Sequence, residues 1–197
     1  MVTSISRILV TFTAFLFLTV HAAHAQKQKD LSDKAVKIMS ALATKLVRAQ
    51  EKDGKGEILE IDKSKPETFM IPLDDARYVI KIGRVSAHAH ICRLLELEAK
   101  NYLTMMAVER ARKKWTRPQL VFINRLHLFT VMWMSGSAEI TEVDPTEKKK
   151  KFDVEKANKK VEEAKAKTKK CTEAEIKKIE KQVESSIKVA KARLKKS

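Results

Sequence analysis

The chain is 197 residues long, with a formal net charge of +16 at neutral pH, 44% hydrophobic residues and two cysteines. Two cysteines without a C-x-x-C motif exclude a thioredoxin-like dithiol centre. Most of the positive excess lies in the last quarter, where Glu147 to Ser197 holds 19 Lys+Arg against 9 Asp+Glu, a net of +10.

Residues 1–25 read as a cleavable signal peptide. A single charge at Arg7 precedes the uncharged run Ile8 to Val20. As a helix that run would span about 20 Å, short of the roughly 30 Å of a bilayer core. Ala23-His24-Ala25 supplies the small residues a signal peptidase needs, so the expected mature chain begins at Gln26. Beyond Gln26 no stretch is long and apolar enough to cross a bilayer, and no integral membrane span is expected after cleavage. The protein is therefore expected to be exported, periplasmic or secreted. In such an oxidising compartment Cys92 and Cys171 are expected to form one disulfide.

Residues 26–140 have ordinary globular content and are expected to form a helical bundle. From Ser32 to Gln50, Ala35, Ile38, Leu42, Leu46 and Ala49 recur at steps of three and four, the pattern of an amphipathic helix ended by Gly54 and Gly56. Residues 57–73 read as an irregular connection, broken by Pro66 and Pro72. A second helix opens at Asp74 or Asp75, with Ala76, Val79, Ile80, Gly83 and Ala87 on one side; Gly83 would admit a close helix contact. A third covers Glu96 to Lys113.

The fourth helix carries the clearest signals. Thr116-Arg117-Pro118-Gln119 offers an N-cap, a first-turn proline and a capping-box glutamine, and Gly136 ends the run. Its apolar residues cover more than one face. That places it at the centre of a bundle or at a subunit contact, and the centre is the favoured reading.

Residues 141–197 form a Lys/Glu/Ala-rich arm. Val154, Ala157, Val161, Ala164, Thr168 and Cys171 make a heptad seam of small residues, which Ile176, Ile179, Val183, Ile187, Ala190 and Leu194 continue after a shift. Thr172 to Glu175 resembles a capping box, so the arm reads as two helices broken near Cys171, with a single long helix as the alternative. No strand-like alternation of useful length appears. The fold class is all-α: a small helical bundle with a long basic C-terminal helical arm or helical hairpin.

Several constellations bear on chemistry. His88, His90 and Cys92 form an H-x-H-x-C run, but on a helix residues two apart do not share a face, so metal ligation is not expected there. His127 reads as a hydrogen-bonded core or boundary residue. Glu51 to Asp62 resembles an EF-hand calcium loop: Glu51 and Asp53 take the first and third positions, Gly56 the turn glycine, Ile58 the apolar position and Asp62 the closing carboxylate. Lys55 stands where an oxygen ligand belongs, and Pro66 interrupts the helix that should leave the loop. No G-x-S-x-G or H-E-x-x-H motif and no phosphate-cradling glycine loop is present, and neither an enzyme nor a cofactor is expected.

The arm has one aromatic, Phe152, too few for base stacking, and export removes cytoplasmic nucleic acid as a partner. Its Ala/Val stripe is too weak for membrane insertion. The expected function is that of an exported non-enzymatic interaction or chaperone-like protein of the cell envelope. Its basic arm would contact anionic envelope polymers or another protein. The alternative is a calcium-binding protein using Glu51, Asp53 and Asp62.

Overall fold

The structure, a computed structural model, describes residues 31–52, 56–137 and 170–195. The expected signal peptide, Asp53 and the seam from Val154 to Thr168 lie outside the described residues. Those described are mostly helical, in five helices and one two-stranded sheet, and belong to a single compact unit running from Leu31.

Helix α1 (Asp33–Thr44) starts where the Ser32 hydroxyl accepts a hydrogen bond from the Ala35 backbone N–H at 3.2 Å, and it buries Val36, Ser40 and Ala43. It ends six residues before the expected boundary. The chain instead enters a short antiparallel hairpin, β1 (Gln50–Lys52) with β2 (Ile58–Glu60), in which Glu51 faces Leu59. A 3-10 turn at Pro66–Thr68 leads into α2 (Leu73–Ile91), followed by α3 (Leu95–Ala111) and α4 (Arg117–Met134). The last helix, α5 (Glu173–Leu194), opens on the Thr172/Glu175 capping box.

At the centre of the bundle is α2, which packs against α1, α3, α4 and α5. This corrects the expectation that α4 is central: Leu128 and Trp133 of α4 are 38% and 46% exposed. Small side chains decide the matter. Ala76, Gly83, Ser86, Ala87 and Ala89 keep α2 thin enough for four neighbours to approach, whereas the long side chains of α4 fill one side of the core with Phe122, Ile123 and Leu126.

The closest approach is at Gly83. A Cβ there would lie 2.8 Å from the Thr130 Cβ, 2.9 Å from its Cγ2 and 3.3 Å from the His127 carbonyl oxygen. Gly83→Ala should therefore lower stability by about 1–3 kcal/mol through overpacking. It should do so although alanine is the better helix former by up to about 1 kcal/mol. Equilibrium urea unfolding measures the outcome, and a variant as stable as the parent would mean that α4 yields at no cost.

The described part of the arm is not a separate domain. Helix α5 docks in the groove between α2 and α3, antiparallel to α2, and buries Ile179, Val183, Ser186 and Ala190. Three features hold it where the thin apolar seam alone would not. Cys171 is joined to Cys92 at the end of α2, with Cα atoms 5.5 Å apart and a sequence separation of 79. Closing a loop of that size is worth about 4 kcal/mol in the chain-entropy account. Midway, the Ser186 hydroxyl donates to Asn101 Oδ1 at 2.7 Å. At the far end Arg193 lies over the Tyr78 ring at 3.9 Å and donates to both Asp75 and Glu109.

Candidate anion-binding face

With one face of α5 committed to the bundle, helical geometry assigns what the other presents. At 3.6 residues per turn Lys177, Lys181 and Lys188 fall within about 40° of one another, opposite the buried stripe, and all three are exposed. They span about 16 Å along the axis. Glu173, Glu180 and Glu184 lie on the adjoining flank, with Glu184 three residues after Lys181 and four before Lys188. Between Lys170 and Lys195 there are eight basic and four acidic residues. On this face a depression of about 440 Å³ is lined by Ala174, Lys177, Lys178, Lys181, Gln182 and Ser185. Lys177, Lys178 and Lys181 bring ammonium groups, which can only donate, to a depression whose wall is mostly apolar side-chain surface.

The other residues singled out from the sequence are occupied elsewhere. Glu51 is buried in β1 rather than turned into a loop. It accepts hydrogen bonds from Arg125 Nε at 3.0 Å, Arg125 Nη2 at 2.6 Å and the Arg48 backbone N–H at 3.1 Å. Burial pushes its carboxyl up, but these bonds and the two positive charges outweigh that and hold it below its ordinary value. Asp62 folds back on its own turn, accepting from the Ser64 hydroxyl at 2.6 Å and the Ser64 backbone N–H at 2.9 Å, which lowers its pKa. Of the three carboxylates of the EF-hand resemblance, Glu51 thus binds an arginine and Asp62 caps a turn, while Asp53 lies outside the described residues. No cluster of three potential metal ligands occurs among the described residues.

The histidines separate as helical spacing requires. His88 Nδ1 lies 3.3 Å from Gln182 Oε1 on α5, and His90 Nδ1 lies 2.9 Å from Glu98 Oε2 on α3. His127 is buried in α4, its Nε2 sharing a 3.0 Å hydrogen bond with Ser86 Oγ. Asn101 Nδ2 donates to the same Ser86 oxygen at 2.9 Å and to the Ile82 carbonyl at 3.1 Å. Through Ser186 this network joins α2, α3, α4 and α5. Ser86 is wholly buried, so the serine–histidine pair ties helices together under the surface.

Sequence reading treated the basic arm as a whole and did not separate Lys177, Lys181 and Lys188 from the rest. The signal for doing so was present: these lysines sit opposite Ile179, Val183 and Ala190 on the helix. Arg125 and the Asp75–Glu109–Arg193 cluster carried no local signal. The chain matches no known protein-family model, no curated protein and no solved structure.

Proposed function

We propose that this is an exported, non-enzymatic binding protein of the cell envelope that holds a linear anionic polymer along the lysine face of α5. The observation that carries this reading is the alignment of Lys177, Lys181 and Lys188 opposite the buried stripe, on a helix anchored at both ends. Anchoring matters because binding to a preformed row of charges does not have to order the helix first. Export is supported by the Ala23-His24-Ala25 cleavage pattern and by the disulfide, which suits an oxidising compartment. No described helix is long and apolar enough to cross a membrane, which agrees with a partner met at a surface.

Heparin serves as a probe for such a polymer. Counterion release predicts that replacing Lys177, Lys181 and Lys188 together by glutamine lowers the slope of log affinity against log salt by about 2–3. The matching triple at the exposed Lys34 and Lys37 of α1 and Lys45 at its C-cap should bind as the parent does. If both triples bind heparin equally, the α5 face is not the site and the reading fails.

A further inference from the structure

The two halves of α5 are held by different means. Its C-terminal half is tied into the bundle by the Ser186–Asn101 hydrogen bond, by Ala190 in the main core and by Arg193 bridging Asp75 and Glu109. Its N-terminal half rests on a second, much smaller apolar cluster, in which Ile179 and Val183 meet Ala89, with Cys92 and Leu97 at the edge. Beyond that, the strongest link at this end is the disulfide, one residue before the Thr172 cap. The residues lining the depression, apart from Ser185, belong to this N-terminal half. The disulfide is thus placed to control the part of α5 that carries Lys177 and Lys181, whereas Lys188 lies on the half held by Ser186 and Arg193.

We propose that the Cys92–Cys171 bond is a redox gate on anion binding, an inference that rests on the reading of the α5 face given above. A dithiol reductant attacks one sulfur, the Cys92–Cys171 bond breaks, and two electrons and two protons pass to the two thiols as the reductant closes to its own disulfide. With the link gone, the first turns of α5 open from the α2–α3 groove and fray. Lys177 and Lys181 then no longer form a fixed row with Lys188. The ends anchored by Ser186 and Arg193 stay in place, so the change is local and reverses on reoxidation.

The test compares heparin affinity at fixed ionic strength for oxidised protein and for protein held in excess dithiothreitol, with maleimide labelling to confirm two thiols. Hydrogen exchange is followed on the same samples. Reduction should weaken binding at least tenfold and speed exchange over 173–183, while amides of α2, α3 and α4 keep their protection. The Cys92→Ser/Cys171→Ser variant should bind as reduced protein does and ignore dithiothreitol. Oxidised protein that fails to bind heparin overturns the reading of the face and the gate with it. Oxidised and reduced protein binding alike overturns the gate alone, as does unchanged exchange over 173–183.

Discussion

Replacing Glu109 by alanine should destabilise the protein by about 3–5 kcal/mol, the cost of breaking a buried ion pair from one side. The side chain is 1% exposed. Its Oε2 accepts from Arg112 Nη1 at 2.8 Å and from Trp115 Nε1 at 2.6 Å, and its Oε1 accepts from Arg193 Nε at 3.2 Å. The second acid of the cluster, Asp75, accepts from Lys114 Nζ at 2.8 Å and Arg193 Nη2 at 2.6 Å. Burial raises the Asp75 carboxyl, but its bonds to Lys114 and Arg193 prevail and hold it below its ordinary value. Two acids therefore face Arg112, Lys114 and Arg193. Removing Glu109 leaves one acid among three cations, and two of those are guanidinium groups largely shielded from water.

Because the loss comes from stranded charge rather than from a missing contact, a second change should relieve part of it. Glu109→Leu combined with Arg193→Leu should be more stable than Glu109→Leu alone, since apolar groups of similar volume replace a buried pair at little cost. Urea unfolding across the cycle measures the coupling. A loss below about 1 kcal/mol for Glu109→Ala would show that water reaches the cluster and screens it.

That cluster also marks where sequence reading stops. Signals confined to a few neighbouring residues were legible. The Thr116/Gln119 and Thr172/Glu175 boxes appear as reciprocal hydrogen bonds, with Gln119 N–H donating to Thr116 Oγ1 at 3.4 Å and Thr116 N–H to Gln119 Oε1 at 3.1 Å. Gly83, read as a close-contact position, is one. Two cysteines admit a single pairing within the chain, and the structure joins them.

What escaped depends on residues far apart in sequence. Glu51 meets Arg125 across 74 positions, and that pair draws the chain into β1 where periodicity alone continued α1. Strands of three residues are too short to display a period of two. Asp75 and Arg193 are 118 positions apart, and a charged residue bound for a buried cluster looks like any surface charge until its partner is known. The same gap explains α5. Ala190 read as part of a weak seam and Ser186 was not singled out, because a small or polar side chain announces neither a snug groove nor a hydrogen bond to Asn101. The lysine face was legible as composition; its placement followed only once the opposite face was seen to be docked.

Lowering the pH from neutral to 5 should cost the protein about 2 kcal/mol before its carboxylates are protonated, and His127 is the reason. Burial alone drives its pKa down, from 6.5 to about 4. The groups around it are Ser86 from α2, the Tyr102 ring at 5.1 Å and Asn101 from α3, with Ser186 of α5 behind Asn101. None of these is a carboxylate able to offset the charge of an imidazolium. In the unfolded chain the imidazole takes up a proton as pH falls through about 6.5, whereas the folded protein resists until about 4. The unfolded state therefore binds more protons across that window. Stability is complete above 6.5 and declines as pH falls toward 4, by about 2 kcal/mol at pH 5 and about 3 kcal/mol at the end. Glu51 and Asp75 have depressed values, so their contributions fade only below the ordinary carboxylate range, and the interval from 6.5 to 4.5 isolates the histidine. A His127→Gln variant, whose amide still reaches Ser86 but does not titrate, should start less stable at pH 7 and lose less on acidification. The difference between the two unfolding free energies, measured from pH 7.5 to 4.5, should shrink steadily as pH falls. Parallel curves would mean that water or rearrangement admits the charged imidazole, and that the network joining the four helices is not closed to solvent.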